Sequence, residues 1–498
     1  MRSVGDRVAA GAVWMVGLRM LQRSLGLVST VILARLLLPE DFGVVAMALI
    51  VFALIEVAGA FGFDLALIRD QKAEERHYHT AWTLNLAYKL LAALIIAVFA
   101  PVFAGFFDDP RVEEVLYVFA IIVAIRGLEN IGVVAFRKEL AFNKEFNYRL
   151  ATKVFRVAVT VVLAVLFANY WALVLGSLAG AVAGVLLSYW MHPFRPRFGL
   201  SGTRELFNFS RWVLLHNFAT YANMRGPDLI VGRMVGADAL GLFRVSSDIA
   251  KLPSEELYAP IMRVVFPGFS KIAHDLPRLR RAYLSAQGFV TAATVPAAVG
   301  LVAVAEPLVW VLLGTNWLEA IPLIQVLGLL GVTTILHGNR YSLFMALGKP
   351  YWVFFFVLLH AVITLPLMVY MLSAGFGIAE AVWAKLAASL LLMPPGVWLV
   401  CYYLRMRAVE FLAVVWRPVV CSAAMALAIY GVLGVLPEVE TLGGAAAVMA
   451  VTVPLGAAVY GGLMLLTWYG LGRPEGPESR MLEIAVSRGL IRGAQGSA

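Results

Sequence analysis

The chain has 498 residues, of which 61% are hydrophobic and only 14% charged, with a mean hydropathy of +0.84. Soluble globular domains run at about 45–50% apolar and about 25% charged, so a soluble enzyme or binding module is excluded. The net charge of +9 fits the loops of a membrane protein; it gives no reason to expect nucleic acid as a partner.

Each helical crossing takes about 20 apolar residues to traverse roughly 30 Å of hydrocarbon. Continuous apolar runs such as 90–103 and 445–468 fit helices and lack the alternation of barrel strands. In chain order the predicted spans are 8–35, 42–68, 79–106, 113–136, 147–169, 171–191, 206–235, 239–266, 283–313, 319–346, 350–373, 377–404, 413–435 and 442–470. The first runs on past Leu33 with no small-residue cleavage site, so it reads as a retained helix and not a signal peptide. Cys401 and Cys421 form no disulfide framework. The connections are short, which leaves no room for a soluble catalytic domain between spans.

Loop charge orients the spans. The turns that follow odd-numbered spans hold Arg35 and Arg111 as their only basic residues, whereas the other turns and both termini hold 22 Lys and Arg. The positive-inside rule makes the second set cytoplasmic. Acidic pieces, Asp108-Asp109 and Glu438–Glu440, fall on the outer side.

A repeat lies within this pattern. The segment VILARLLLPEDFG ends at Gly43 and LIVGRMVGADALG ends at Gly241; Arg, an acidic residue and Gly recur 198 residues apart. Six spans separate the copies, so both have the same orientation. The expectation is an all-α polytopic membrane protein of about fourteen transmembrane helices, with two parallel six-helix lobes (1–200 and 201–408), two peripheral helices (409–471) and a cytoplasmic tail (472–498). Repeat-built transporters hold substrate between the repeats.

Three motifs carry a family resemblance: LARLLLPEDFG (33–43), FRKELAF (136–142) and DLIVGRMVGADALGLF (228–243), followed by Leu252-Pro253 and Phe266-Pro267. The chain resembles the Wzx-type polysaccharide flippases of the multidrug/oligosaccharidyl-lipid/polysaccharide exporter superfamily. That resemblance implies two lobes around a central cavity open alternately to each side of a bacterial inner membrane. It implies as substrate an undecaprenyl-pyrophosphate-linked oligosaccharide, and as partners membrane lipids and a polysaccharide polymerase with its assembly proteins. No cofactor, metal site or catalytic residue is expected. A drug exporter of the same superfamily is the alternative, and from another class a membrane glycosyltransferase or O-antigen ligase. The latter enzymes need a large outer loop, which is lacking here, and no Walker motif is present.

Charges placed inside the membrane are costly and mark protein or water cavities. The candidate substrate-binding cations are Arg19 and Arg23 in the first span, with Gln22 on their face, then Lys89, Arg126, Arg156 and Arg225. Glu56, Glu129, Asp228, Arg244, Asp248 and Lys251 are expected to form cavity ion pairs or to couple transport. Arg225–Asp228 and Arg244–Asp248–Lys251 have the three- or four-residue spacing of one helix face. With Lys153, the set holds nine cations and four anions, an excess that Glu255, Glu256, Arg340 and Lys385 leave unchanged. A cationic cavity suits a phosphate-bearing substrate, because the guanidinium fork pairs with phosphate oxygens. The last two spans are expected to carry no charge in their cores. His216, His337 and His360 read as packing residues, and Gly226-Pro227 as an interruption of its helix.

Overall fold

The computed structural model describes residues 4–58, 67, 74–139, 141–200, 210–437, 439 and 441–472. The tail from 473, Glu438, Glu440 and the side chains of His216 and Glu255 lie outside the described residues. The described residues are helical with no strand, as the all-α reading expects. Among the described residues nine helices are long and apolar enough to cross a membrane; the predicted span 113–136 is a helix only to Gly127, followed by a turn and a short 3-10 helix, Ile131–Val134.

By packing, the chain divides into two compact units, Met1–Arg244 and Val245–Ala498. The first holds α1 (Val4–Leu36), α2 (Pro39–Ala58), α3 (Glu75–Phe107), α4 (Arg111–Gly127), α5 (Phe142–Phe167), α6 (Trp171–Met191), α7 (Ser210–Met234) and the first half of α8 (Ala237–Ala250). The second continues from α8 through a π-helical turn (Ser254–Tyr258) into α9 (Ala259–Lys271), α10 (Leu276–Ala303), α11 (Ala305–Leu312), α12 (Ala320–Ala346), α13 (Pro350–Ser373), α14 (Ile378–Leu391), α15 (Met393–Leu404), α16 (Ala408–Leu433) and α17 (Leu442–Gly470).

In the first unit a row of small residues sets the packing of α6 on α5. Gly176, Gly180 and Gly184 line one face of α6, and a β-carbon on them would meet Thr160, Arg156 and Thr152 of α5 at 1.9, 2.9 and 3.6 Å. This small-residue row lets two backbones approach inside a membrane. It also accommodates a polar stripe of α5, Tyr148, Thr152, Arg156 and Thr160, spaced one turn apart. Helix α1 lies along α5: Gln22 Nε2 donates to the Arg149 carbonyl at 3.5 Å, and one turn on Gly26 faces Lys153.

The two copies of the sequence repeat meet. A β-carbon at Gly43, near the start of α2, would lie 1.7 Å from the Ala237 carbonyl oxygen, and one at Gly241 would lie 1.8 Å from the Pro39 carbonyl oxygen. Residues 39 and 43 are offset by 198 from 237 and 241, so each copy presents its glycine to the other's backbone in a pseudo-two-fold crossing. Only glycine permits that approach. The rest of the motif serves the helix starts. Pro39 begins α2, and Glu40, Asp41 and Asp238 stand in the first turns of α2 and α8, where carboxylates complement the helix dipole. Asp41 accepts from the backbone N–H groups of Leu38 (2.9 Å) and Tyr170 (2.8 Å), tying this corner to the start of α6.

Two expectations are corrected here. Helix α7 runs unbroken through Pro227; the departures from regular α-helix fall instead at the π-helical turn after Pro253 and at Leu392, just before Pro394-Pro395. A proline costs one backbone donor, which surrounding helices and local adjustments compensate within a membrane bundle. The penultimate helix also carries a charge near its middle. Helix α16 starts at Ala408 and not at 413, which places Arg417 well inside it, buried, with Nη2 donating to the Met464 carbonyl of α17 at 3.3 Å.

The glycine crossing generates a stability prediction. Gly43→Ala should lower the midpoint of thermal unfolding, costing about 1–3 kcal/mol as an overpacked contact does, although alanine is the better helix former. Gly105→Ala, in α3 with open space around its position, should be neutral or stabilising by up to about 1 kcal/mol. Equal effects of the two substitutions would remove the crossing from the fold's requirements.

Candidate functional site

The charges of the first unit sort into three arrangements. In one, α3 and α2 are linked by Lys89, whose ammonium lies 2.5 Å from Glu56 Oε1, beside the Tyr88 hydroxyl that donates to the Ile55 carbonyl. A β-carbon at Gly127 would lie 2.9 Å from Lys89 Cβ, so α4 presses close and brings its Arg126 into the same region.

A second arrangement centres on Asp228, which is 4% exposed. Its Oδ2 accepts from Arg225 Nη1 at 3.0 Å, one turn earlier on α7, and from Arg244 Nη1 at 2.9 Å on α8. The expected pairing of Arg244 with Asp248 does not form. Asp248 and Lys251 are on the exposed side of α8, while Arg244 turns towards α7, where a buried carboxylate needs more than one donor. Nearby, Tyr221 of α7 donates to the Ile50 carbonyl of α2 at 2.7 Å. One carboxylate between two guanidiniums leaves a local excess of one positive charge.

The third arrangement is cationic. Arg126 of α4 stacks over the Phe52 ring of α2, 5.6 Å from its centroid. Arg156 of α5 lays its aliphatic stem against Gly180. Lys153 reaches towards α1, its Nζ 3.7 Å from where a β-carbon of Gly26 would stand. Arg156 is within electrostatic reach of both Arg126 and Lys153. Among the described residues no carboxylate forms an ion pair with any of the three. Glu129, one turn from Arg126, instead accepts from the Tyr148 hydroxyl at 2.6 Å, and that hydroxyl also lies 3.2 Å from the Gly184 carbonyl oxygen. Glu145, buried near the start of α5, is held by Arg149 at 2.8 Å.

On α1, Arg23 is half-buried and Arg19 exposed; both lie on the helix whose neighbouring face packs along α5. The structure thus brings Lys89, Arg126, Lys153 and Arg156 into one region built by α2 to α6, and Arg225, Asp228 and Arg244 into a separate triad on α7 and α8. Tyr148 and the α6 glycines escaped the sequence reading. The four-residue spacing of Gly176, Gly180 and Gly184 was the available signal, and it pointed to the α5 face that they meet.

The chain matches the polysaccharide biosynthesis protein family over residues 32–322, more than half its length. It belongs to that family. Its relatives include the succinoglycan biosynthesis transport protein ExoT of Rhizobium meliloti, 25% identical over 93% of this chain and 92% of that protein. Another is the lipopolysaccharide biosynthesis protein WzxC of Escherichia coli, 25% identical over 70% of this chain and 71% of that one. Among solved structures the fold is similar to the lipid II flippase MurJ in an inward closed conformation, with a TM-score of 0.72 at 15% identity, covering 92% of this chain and 99% of that one. An inward-facing multidrug resistance MATE family transporter follows at a TM-score of 0.58 and 14% identity, covering 77% and 95%. The family member described here is a multi-pass membrane protein with a transporter fold.

The triad supports a prediction for this family member. Asp228→Asn would leave two guanidiniums without their counter-ion and should destabilise the protein by about 3 kcal/mol or more. Asp248→Asn, on the exposed side of α8, should stay within about 0.5 kcal/mol of wild type. Thermal unfolding of the two purified variants in detergent checks this; a silent Asp228→Asn would mean the triad contributes nothing to the fold.

Proposed function

We propose that this protein is a flippase that carries undecaprenyl-pyrophosphate-linked oligosaccharide repeat units from the cytoplasmic to the outer leaflet of a bacterial inner membrane, for exopolysaccharide or lipopolysaccharide synthesis. The observation that carries the reading is the group of Lys153 and Arg156, near the middle of α5, and Arg126, in the last turn of α4, cations without a carboxylate ion pair among the described residues. A pyrophosphate supplies the missing negative charge, and planar guanidiniums grip its oxygens in pairs. Lys89 is paired with Glu56, the separate triad of Arg225, Arg244 and Asp228 keeps an excess of one positive charge, and Arg19 and Arg23 lie along α1. The names borne by the relatives support this substrate class. A drug exporter moving cations is less well served by such a field, and a glycosyltransferase or ligase lacks the outer loop to hold its catalytic groups. The protein acts without chemistry of its own, and a polysaccharide polymerase and assembly proteins are its partners downstream.

Both termini lie in the cytoplasm, by the distribution of 22 basic residues on one side against 2 on the other. A membrane-impermeant maleimide added to intact cells should therefore label a cysteine at Glu114 and spare one at Asn143. Labelling of Asn143 from outside reverses this orientation.

Transport proceeds by alternating access, with the two repeats, 1–200 and 201–408, moving against each other. The crossing of α2 and α8 at Gly43 and Gly241 serves as the outer gate or its hinge, since it joins repeat-equivalent turns on the outer side. In cells whose own flippase is deleted, Arg126→Ala and Arg156→Ala should cut translocation of the lipid-linked sugar at least tenfold at near-normal protein abundance. Lysine at either position should restore part of it, retaining charge but losing the fork. In the same assay a bifunctional maleimide bridging cysteines at the repeat-equivalent, exposed positions Glu40 and Asp238 should stop translocation. Full activity of the double alanine variant would remove these cations from the substrate path, and full activity of the bridged protein would remove the gate.

A further inference from the structure

The second unit contains a buried polar centre that the sequence pattern does not announce. Arg340, on α12, lies with its guanidinium over the Phe356 ring of α13, 4.0 Å from the centroid. Its Nη1 stands 2.2 Å from where a β-carbon at position 396 would be, so the glycine of α15 leaves room for the guanidinium in this position. That atom is buried and has no hydrogen-bond partner in the protein. Among the described residues no carboxylate forms an ion pair with Arg340.

The same part of the second unit holds further polar groups short of partners among the described residues. Asn339, next in sequence, is fully buried, and both polar atoms of its amide lack a partner. One turn earlier on the helix, His337 has a buried Nε2 in the same condition. On α10, Gln287 is fully buried. Its Nε2 donates to Thr291 Oγ1 at 3.1 Å and to the Leu336 carbonyl at 3.5 Å, but its Oε1 finds nothing. The hydroxyls of Tyr258 and Tyr283 complete the surroundings, both within electrostatic reach of the guanidinium. Tyr258 closes the π-helical turn Ser254–Tyr258, a helix defect of the kind that often occurs at functional sites.

A half-buried arginine with a buried Nη1 and no carboxylate ion pair among the described residues, together with several buried polar atoms that lack a partner among them, stands out from the apolar core around it. Buried polar groups are normally hydrogen-bonded, and a charge taken out of water needs an opposite charge. Stacking on Phe356 shields one face of the guanidinium and leaves its donor edge unmet.

We propose that the Arg340 centre of the second unit is an anion-binding site, taking an oxyanion of the phosphate class. The Arg340 fork provides the charge and two parallel donors. The Tyr258 and Tyr283 hydroxyls and the His337 imidazole, each within electrostatic reach of the guanidinium, provide neutral donors that fix the remaining oxygens. Each of these groups lies in the second unit, so the site is built without any residue of the Arg126–Arg156 region, and its presence does not depend on the transport reading.

Phosphate of this kind comes free in solution or on the headgroup of an anionic lipid, and one experiment separates the sources. The purified full chain is placed in nanodiscs of phosphatidylcholine alone or with phosphatidylglycerol, in phosphate-free buffer. Thermal unfolding is then followed with and without inorganic phosphate. Wild type should gain several degrees from inorganic phosphate, from phosphatidylglycerol, or from both, because a ligand of the folded state stabilises it by mass action. A response to inorganic phosphate identifies a soluble ligand; a response to phosphatidylglycerol alone identifies a lipid headgroup. Arg340→Gln should lose the response and, in phosphatidylcholine nanodiscs without added inorganic phosphate or phosphatidylglycerol, unfold no earlier than wild type, since it removes an uncompensated charge. Arg340→Lys should keep only part of the response. Hydrogen exchange of the wild-type chain gives a readout free of substitutions: the anion should slow exchange across residues 254–258 and 337–340. An equal response in Arg340→Gln, an earlier unfolding of Arg340→Gln without anion, or unchanged exchange in both segments would each overturn the site.

Discussion

Everything in this molecule that is not hydrocarbon packing follows from the cost of placing a charge where water is scarce. The effective penalty is several kcal/mol per ion after relaxation, whereas stacking on a ring returns about 2 kcal/mol when desolvated. Phe52 under Arg126 and Phe356 under Arg340 are therefore insufficient by themselves. Each buried cation needs a carboxylate, a hydrated cavity or an anion that arrives from outside. The chain uses the first solution at Lys89–Glu56 and around Asp228, and withholds it at Arg126, Lys153 and Arg156.

That difference separates architecture from function. Asp228 sits between Arg225 and Arg244 on consecutive helices, and the same two helices meet α2 through Tyr221 and through the glycine crossing. Charge pairing and close backbone approach fix one corner twice over. The α5–α6 pair works by the opposite economy of space: three glycines on α6 remove side chains so that α5 can bury a stripe of polar and cationic ones. A glycine row in a membrane helix is usually read as a packing device. Here it also decides which face of the neighbouring helix can carry charge.

Much of the fold was legible in the sequence because its causes are one-dimensional. Apolar run length sets the helices; α6 and α13 match their predicted limits, 171–191 and 350–373. The repeat at Gly43 and Gly241 was visible as spacing, but its meaning was not, since nothing in either copy says that it touches the other. The charged residues were found individually, and their pairing was only partly found. Spacing along one helix brought out Arg225–Asp228, yet it also favoured Arg244–Asp248, because it cannot register Asp228 on the preceding helix. Helix starts proved the weakest inference. A five-residue error at α16 was enough to move Arg417 from an apparent helix end to a buried position bonded to the Met464 carbonyl.

The sign of the unpaired charge then narrows what such a protein can carry. A transporter fold with paired charges would hold its shape and have no preference between cations and anions. One with surplus carboxylates would favour cations. A region where Arg126 and Arg156 are held close enough to repel each other stays folded only because the helices around it are fixed by other contacts: Glu129 by Tyr148, Glu145 by Arg149, and α2 by α8. Under the function proposed above, a pyrophosphate entering between the two guanidiniums would relieve that repulsion, while an apolar or cationic drug would leave it in place. This asymmetry, and not the fold shared with drug exporters, is what favours a lipid-linked sugar in the function proposed above.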